Sequence, residues 1–517
     1  MRKTYAISVA LVALFLVYVM PVVAAYPYPP DSREVEAALE FLARAQKPDG
    51  SIGSYGDSAW AVMAISAAGR DKFEGYGGDF NALMNYLKNN WPADPSACDY
   101  ARTILAVVAA DEDPRHFVTP TGTIDLVAGL TAFYDGTKIY DPAHDWAGGA
   151  ALNDDWWAIM ALISAGVKKD SEIIQNIASY ILSHQNTTDG GWGWAVGRPS
   201  DVDNTAAAIM GLIAAGNPDP TAVQNGLNYL RTQQLDSGGF GSIWTGDNVG
   251  STAWAICAIW AAGEDPTDWN HPTTGKNPVD DLLRFQNWTD STGYYIGAFA
   301  WWGSQWLMAE YGTASALPAL LGKPYPIKSL PEEWETASVE SATGAGRVIF
   351  TVKGDLGNLE AVDESTLPTE GKPDLRFPYG FFSFSISGLT PGATVEVTLI
   401  FPSNVPTNVQ YWKYHEPEGW IQIPVGDNDG DRVITITLTD GGTGDDDGTA
   451  NGVIVDPGGP GFPVSKPKPP FPVGGRYVPI NRTKVLLASF RTVVAPPAAL
   501  LAAFAAAVLI ARKRRRK

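Results

Sequence analysis

The sequence predicts a multidomain α plus β protein: an α6/α6 toroid of six helix-pair repeats, then a β-sandwich and a C-terminal transmembrane helix. Three observations support this prediction. A helix of small and apolar residues recurs about every 50 residues up to Gly312, and such a period indicates a repeat architecture. Short β-rich runs separated by Gly, Pro, Asp and Asn follow it. Last comes an uncharged stretch at 493–511, directly before a run of basic residues.

Each repeat closes with a helix made almost entirely of small and apolar residues. A helix without a polar face must be covered on all sides, so these helices are predicted to form an inner layer. An open solenoid needs polar capping repeats at its ends, and neither the first nor the last copy is polar enough. This favours a closed ring. The six copies end at Gly69, Asp111, Gly166, Gly216, Gly263 and Gly312, with the sixth assigned to the stretch from Phe299.

An amphipathic helix precedes each inner helix and is predicted to belong to the outer layer. Ser32, Asp79 and Ser171 are common N-cap residues at the starts of three of these helices. The predicted outer helices are Ser32–Lys47, Asp79–Trp91, Thr121–Tyr134, Ser171–Gln185, Thr221–Gln234 and Pro278–Gln286.

Four of the turns between paired helices share a pattern of glutamine, polar residues with glycine, and then an aromatic residue or isoleucine. These turns are Gln46–Ile52, Gln185–Trp192, Gln234–Phe240 and Gln286–Tyr294. Glycine supplies the positive φ that the turn needs, and the glutamine amide is able to bond backbone groups at a helix end. The pattern resembles the repeats of the squalene cyclase and prenyltransferase superfamily. This resemblance implies a toroid for residues 26–325, whereas a fold alone does not imply an activity.

The segment Asp201-Val-Asp-Asn-Thr-Ala206 resembles the Asp-x-Asp-Asp-Thr-Ala motif of squalene–hopene-type cyclases. The resemblance implies that Asp203 is the general acid, with Asp201 beside it as a second catalytic candidate. The sequence departs from the motif at Asn204, where the family has its final aspartic acid. N-capping of the inner helix is the alternative explanation for these residues, because other inner helices begin with similar polar residues.

Aromatic residues recur at equivalent places in the inner helices and are the candidate ligand-binding residues. Trp60, Trp157 and Trp254 occupy one position in repeats one, three and five, Arg102 takes that position in repeat two, and Trp302 lies nearby. A ring lined with tryptophan is able to hold an apolar ligand or to stack on sugars. Packing between the two layers is the alternative role for these side chains.

Past residue 325 the helical period ends and β-rich runs predict a β-sandwich domain at 330–457. The runs are Arg347–Val352, Phe381–Ile386, Thr394–Phe401, Val409–Tyr414, Trp420–Pro424 and Arg432–Leu438. Together with the acidic glycine-rich string Thr439–Pro460, they resemble a β domain found next to the C-terminal anchors of archaeal and bacterial surface proteins. A Pro/Gly-rich spacer is predicted at 458–492.

Two acidic clusters in this domain suggest calcium as a cofactor, and the sequence establishes none with certainty. Hard cations bind several oxygen ligands from a flexible loop, and alternating acidic residues with glycine supply them. The alternative is a pair of solvated acidic turns, because neither cluster has the twelve-residue loop ending in glutamate. The candidate ligands are Asp427, Asp429, Asp431, Asp445 and Asp447.

The two ends of the chain predict export and anchoring. Residues 1–25 have a basic start, an apolar run and a small-residue cleavage site, which are typical of a signal peptide. The uncharged stretch 493–511 is just long enough to cross a membrane. Since the basic tail 512–517 stays cytoplasmic, the toroid and the β domain are expected outside the cell, held at the membrane by one helix.

Charge and cysteine content restrict the possible partners. The net charge of −19 argues against nucleic acid, which requires a basic surface. Cys98 and Cys257 lie three repeats apart and are expected to be unpaired, and scattered histidines argue against a zinc site. Without a clear catalytic set, the sequence favours a non-enzymatic surface protein that binds an apolar ligand, a glycan or another surface protein. The alternatives are a glycan-processing enzyme that pairs Asp154 and Asp155 with the Asp201 and Asp203 carboxylates, and a terpene cyclase-like enzyme with Asp203 as general acid.

Overall fold

The protein is described by a computed structural model that covers residues 26–464, apart from 145–146, 149, 243–244, 302–307, 417 and 443. The predicted signal peptide, most of the spacer, the predicted transmembrane helix and the basic tail lie outside these residues. Within them, no helix combines the length and apolar character needed to span a membrane.

Six helices form a closed inner ring. They are α2 (Tyr55–Ala68), α5 (Ala97–Ala109), α7 (Asn153–Ser164), α9 (Val202–Ala214), α11 (Val249–Ala261) and α13 (Ala309–Leu320). Each packs against the next one in the chain, and α13 packs against α2. The prediction of a toroid is therefore confirmed, and its physical cause is the burial of these helices on nearly all sides.

Six further helices pack against the outside of this ring. They are α1 (Arg33–Ala45), α4 (Phe80–Asn89), α6 (Leu126–Thr131), α8 (Glu172–Ser183), α10 (Pro220–Gln233) and α12 (Pro278–Arg284), with a short helix α3 (Arg70–Gly75) after α2. Short hairpins occur in two turns, from β1 (Phe117–Thr119) with β2 (Gly122–Ile124), and β3 (Gly241–Ser242) with β4 (Gly246–Asp247). Of the three predicted N-caps, Asp79 accepts a hydrogen bond from Ala82 N–H, whereas Ser32 and Ser171 make no side-chain cap.

The turn glutamines join four of the six repeats to the repeat that follows. Gln46 Nε2 donates to Gly50 O within its own turn at 3.0 Å, and to Asp79 O at the start of the next outer helix at 2.8 Å. Gln286 closes the ring in the same way, because its Nε2 donates to Glu34 O in α1 at 2.7 Å. The other two bonds to the following repeat are Gln185 to Ala222 O and Gln234 to Trp269 O.

The sixth inner helix starts later than the sequence predicts. The composition of Phe299–Gly312 predicts this helix, but helix α13 begins at Ala309. One hydrogen bond recurs in five of the repeats and shows how the sixth inner helix aligns with the others. In each case a side-chain oxygen near the start of the inner helix accepts a hydrogen bond from the backbone N–H at the end of the preceding turn. These pairs are Ser58 with Ile52, Asp155 with Ile139, Thr205 with Trp192, Thr252 with Phe240, and Thr313 with Phe299.

Residues 334–463 form two antiparallel sheets that share one apolar core. The strands are β5 (Trp334–Glu340), β6 (Arg347–Lys353), β7 (Asp355–Val362), β8 (Leu375–Arg376), β9 (Phe381–Ser387), β10 (Thr394–Ile400), β11 (Gln410–His415), β12 (Gly419–Ile423), β13 (Val433–Thr439) and β14 (Ile454–Pro463). One sheet has the order β13-β10-β6-β5 and the other β12-β11-β14-β9-β7, with β8 paired to β14. The two sheets pack next to the toroid, where Arg432 Nη2 donates to Ala132 O at 2.8 Å.

Strand β14 extends into the segment that the sequence analysis assigned to the spacer at 458–492. Its glycines are needed for packing rather than for flexibility. A side chain at Gly458 would collide with the ring of Tyr411, and one at Gly459 would collide with the Gly380 carbonyl oxygen. The glycines therefore let neighbouring strands and aromatic rings approach closely, a role that glycine is known to play in strands.

Candidate functional site

A cavity of about 260 Å³ opens at the N-terminal ends of the inner helices. Its lining combines aromatic rings with a small number of polar groups, as in most ligand-binding cavities. The lining residues are Trp60, Cys98, Arg102, Trp156, Trp157, Asp203, Asn204, Ala207, Gly250, Trp254, Trp301 and Tyr311. Four of the five candidate ligand-binding residues are among them, namely Trp60, Arg102, Trp157 and Trp254. Trp302, the fifth, lies outside the described residues.

Three tryptophans meet at the centre of the ring and form the floor of the cavity. The ring centroids of Trp157 and Trp254 are 4.8 Å apart, and Trp60 lies 5.3 Å from Trp157 and 5.9 Å from Trp254. The Tyr325 ring contacts the same cluster, 5.4 Å from Trp60. These residues therefore line the cavity and also pack against one another inside the ring, which differs from the packing between the two layers considered as their alternative role.

Asp203 lies in the first turn of α9 with its side chain exposed to the cavity. Protein atoms surround this position on most sides, and the resulting desolvation raises the pKa of Asp203 to about 6. A hydrogen bond with Ser251 opposes this rise, whereas the nearby Asp201 carboxylate adds to it. Asp203 is therefore a carboxyl group that is partly protonated near neutral pH and that faces a cavity with aromatic walls.

Asp201 has a different position and different partners. It is the N-cap of α9, and its Oδ1 accepts a hydrogen bond from Asn204 N–H at 2.9 Å. The Asn204 side-chain Nδ2 donates to the two Asp201 carboxylate oxygens at 2.9 and 2.8 Å. N-capping thus accounts for Asp201 and Asn204, whereas Asp203 makes no such cap.

Arg102 contributes a positive charge to the cavity wall. Its Nη1 lies 3.0 Å from Asp99 Oδ1, one turn earlier on α5, and both side chains are half-buried. Arg102 therefore reaches the cavity with its charge already paired. An anionic ligand would have to compete with Asp99 for this guanidinium group.

Seven of the described lining residues are not among the candidate site residues, and Trp301 and Tyr311 are two of them. Their rings lie 5.1 Å apart, and Gly250 leaves the space that the Trp301 ring occupies. Burial raises the pKa of Tyr311 to about 12, with a smaller contribution from Asp203, so its hydroxyl stays protonated. The incorrect register of the sixth inner helix concealed Tyr311, and the equivalence of Thr313 with Thr205 and Thr252 is the signal that would have found it.

A second cavity of about 490 Å³ shares Cys98 with the first. Asp154 lines it and accepts a hydrogen bond from Cys98 Sγ at 3.2 Å. Asp155, by contrast, is fully buried in the core, and its Oδ1 accepts a hydrogen bond from the Ile139 N–H at 2.8 Å. The four carboxylates considered for glycan chemistry therefore do not meet at one site. They are Asp203 in the first cavity, Asp154 in the second, Asp155 in the core and Asp201 at the start of α9. Cys98 and Cys257 are both free thiols.

The acidic clusters of the β domain bind their own backbone. Asp445 Oδ2 accepts from Gly441 N–H at 2.8 Å, Asp447 Oδ1 accepts from Thr449 N–H at 2.7 Å, and Asp431 Oδ1 accepts from Val433 N–H at 2.6 Å. Across residues 26–464, as far as they are described, no group of three or more His, Cys, Asp or Glu side chains is arranged to hold a metal ion. The calcium site stays a prediction.

Comparisons with known proteins place this site in context. Residues 142–253, which include α7, α9 and Asp203, match the family model of the squalene–hopene cyclase C-terminal domain. This part of the ring is therefore similar in sequence to squalene–hopene cyclases. The chain is 34% identical over 183 residues to the squalene–hopene cyclase of Bradyrhizobium diazoefficiens, a match that covers 31% of this chain and 26% of that protein.

A probable squalene–hopene cyclase of Sinorhizobium fredii is 30% identical over 238 residues, covering 40% of this chain and 34% of that protein. This chain thus spans about a quarter to a third of the length of these relatives. Among solved structures, the type II terpene cyclase MstE from Scytonema aligns with 56% of this chain and 96% of its own, at 13% identity and a TM-score of 0.39.

These matches correct the sequence-based expectation that the protein is not an enzyme. That expectation depends on the lack of a clear catalytic set and on the departure from the cyclase motif at Asn204. The family model and the two relatives describe cyclases, which are enzymes, so the expectation is wrong. The resemblance to squalene cyclases stated from the turns is confirmed, whereas the resemblance of the β domain to anchor-associated domains stays a prediction.

Proposed function

We propose that the toroid is a terpene cyclase-like enzyme in which Asp203 acts as the general acid on an apolar prenyl chain. One observation carries this proposal. A carboxyl group with a raised pKa faces an aromatic-walled cavity, within the segment that matches the squalene–hopene cyclase domain. A perturbed carboxyl group in a cavity is a common property of catalytic acids.

Protonation of a carbon–carbon double bond requires a carboxylic acid that is neutral and shielded from water. Below about pH 6 the larger part of Asp203 is neutral, and a substrate that fills the cavity would exclude water from it. Once the proton has moved to the substrate, the hydrogen bond with Ser251 stabilises the carboxylate that remains. Asp201 stays on the helix N-terminus during this step, because both of its oxygens are bonded to Asn204.

The aromatic walls suit the cation that protonation creates. Trp157, Trp254 and Trp301 line the cavity, and an indole face that meets a cation attracts it by about 0.5–2 kcal/mol. Arg102 is the guanidinium group in the lining, and Asp99 offsets its charge. The tryptophan floor gives the substrate an apolar surface and limits how deeply it enters the ring.

The test is turnover by the purified full chain in detergent, with squalene and the shorter alcohols farnesol and geranylgeraniol as substrates. We expect cyclised products from at least one of them by gas chromatography and mass spectrometry. The Asp203→Asn variant keeps the shape of the side chain without its proton, and its rate is expected to fall about 10²–10⁴-fold. Asp201→Asn is the matched control, since asparagine is an equally good N-cap and should leave turnover nearly unchanged.

Two outcomes would contradict the proposal. One is the absence of cyclised product from every substrate between about pH 5 and pH 8, the range across which the acid titrates. The other is an Asp203→Asn variant that turns over as fast as the wild type, which would leave cyclisation in place but remove Asp203 as its acid.

We also propose that this enzyme is held outside the cell by one C-terminal helix. The support is the sequence of residues 1–25 and 493–517, which lie outside the described residues. An apolar prenyl chain dissolves in a membrane, so an anchor would keep the toroid near such a substrate. Protease added to intact cells should then remove the toroid, and full protection of the toroid would contradict this placement.

A further inference from the structure

The β domain buries a lysine next to an aspartate, and neither residue lines the cavity of the toroid. Lys413 in β11 is 1% exposed and Asp456 in β14 is 0% exposed. The Lys413 Nζ atom lies 3.2 Å from Asp456 Oδ1. A lysine and a carboxylate are rarely buried this completely, because both lose their hydration.

Strand register explains why these two side chains meet. Strands β11 and β14 are antiparallel neighbours, and Lys413 pairs with Gly458. Asp456 lies two residues before Gly458, on the same face of the sheet and diagonally next to Lys413. The Tyr411 ring packs over Gly458, where the lack of a side chain makes room for it. The Tyr411 hydroxyl donates a hydrogen bond to Asp456 Oδ2 at 3.0 Å.

Two further oxygen atoms lie near the Lys413 amino group. Lys413 Nζ donates to Gly444 O at 3.1 Å, and Asp446 Oδ1 lies 3.9 Å from the same nitrogen. Among the described residues, Asp456 Oδ1 and Asp446 Oδ1 have no hydrogen-bond partner. The contact of 3.2 Å between Nζ and Asp456 Oδ1 is therefore close but lacks the alignment of a hydrogen bond.

We propose that Lys413 and Asp456 condense to an intramolecular isopeptide bond that joins β11 to β14. In this reaction Lys413 Nζ attacks Asp456 Cγ, and the new N–C bond replaces the bond between Cγ and Oδ1. The Lys413 ammonium group loses two protons, and the Asp446 carboxylate transfers both protons to Asp456 Oδ1. Oδ1 then leaves as water. No oxidant or co-reactant is required, since one ammonium and one carboxylate give one amide and one water.

Each neighbour has a defined part in this step. Tyr411 O–H holds Oδ2, which carries the negative charge when nitrogen attacks and becomes the carbonyl oxygen of the amide. Gly444 O retains the N–H of the product. Burial raises the pKa of Asp456, which favours the neutral acid that an amine attacks. The fixed contact between the two groups replaces a bimolecular encounter and so accelerates the reaction.

Condensation also removes the energetic problem of the buried pair. The two buried charged groups, which have lost their hydration, become one neutral amide. Its N–H keeps Gly444 O as acceptor, and its C=O keeps the Tyr411 hydroxyl as donor. The new bond would connect β14, the last described strand, covalently to the sheet.

The test is a tryptic digest of the folded full chain, read by tandem mass spectrometry. Acylated Lys413 resists trypsin, so the expected species is peptide 377–432 linked to peptide 433–476, with the mass of their sum less one water. Lys372 and Glu364 form a partly buried ion pair in the same domain and serve as the internal control, since they should remain unlinked.

An Asp446→Asn variant adds a second measurement, because it keeps the size of the relay group but removes its basicity. We expect this variant to accumulate free peptides 377–413 and 433–476 while the β domain stays folded, as measured by circular dichroism. The proposal is overturned when the folded wild-type protein gives these free peptides as its main species. If the Asp446→Asn variant forms the linked peptide as completely as the wild type, the role proposed for Asp446 is wrong.

Discussion

The raised pKa of Asp203 predicts that this residue destabilises the protein in which it is proposed to act. The folded chain holds the Asp203 proton up to about pH 6, whereas the ordinary value for aspartate is 3.8. Above pH 6 the folded state must therefore carry a poorly hydrated carboxylate. An Asp203→Asn variant removes this charge and should be more stable than the wild type at pH 7.5 while it loses turnover.

The size of this gain follows from the pKa difference. A difference of about two pH units corresponds to about 3 kcal/mol at 1.36 kcal/mol per unit. Because the Asp203 side chain is exposed to the cavity, solvent screening reduces this value, and we expect about 1 kcal/mol. For a protein of this size that corresponds to an increase in melting temperature of about 2 °C.

The pH dependence gives the sharper test. A group with a raised pKa binds more protons in the folded than in the unfolded state between about pH 4 and pH 6, so wild-type stability falls as the pH rises through this window. The advantage of Asp203→Asn should be complete above about pH 7, shrink between pH 6 and pH 4, and vanish below that. It is measured by urea denaturation of both proteins at several pH values.

Asp201→Ala is the control for this series. It removes the N-cap of α9 and should lower the free energy of unfolding by about 1 kcal/mol at neutral pH. A difference between Asp203→Asn and wild type that stays constant from pH 4 to pH 8, or a variant that is less stable at pH 8, would refute the placement of the Asp203 charge.

Three further perturbations test other parts of the structure. Trp60→Ala opens the cavity floor and should lower the free energy of unfolding by about 3–5 kcal/mol in denaturant titrations, and a loss below 1 kcal/mol would argue against the packed floor. Gln286→Ala removes the bond to Glu34 O, and we expect a loss of about 1–3 kcal/mol with faster hydrogen exchange in α1, whereas Gln233→Ala, at an exposed position, should change neither. The predicted calcium site requires that a chelator lowers the melting temperature of the β domain, and an unchanged value would dismiss it.

The ring could be predicted from the sequence because its inner helices lack a polar face. Five of the six inner helices were placed within a few residues of their observed bounds, since their periodic small and apolar residues have only one economical arrangement. The sixth was misplaced because Phe299 and its aromatic neighbours resemble an inner helix in composition. Hydrogen bonding near the helix start, which Thr313 shares with Thr205, was the better guide to register.

The functional site was harder to predict because it depends on direction rather than on residue type. Asp201 is the N-cap of α9 and has an extended backbone, whereas Asp203 is the second residue of the helix, so their side chains leave the helix start in different directions. One therefore caps the helix while the other faces the cavity. The contact between Trp60, Trp157 and Trp254 depends on closure of the ring, and β14 was missed because its Gly and Pro content is typical of a linker.

The bond from Gln286 to α1 means that no repeat of the ring is terminal. In an open array of repeats, the outermost pair is supported on one side and unfolds first. Here the first and last inner helices support each other, so the loss of any one helix pair disrupts two interfaces. We therefore expect the ring to melt as one cooperative unit, and a circularly permuted chain that joins residue 26 to residue 325 and begins between two other repeats should fold to the same ring.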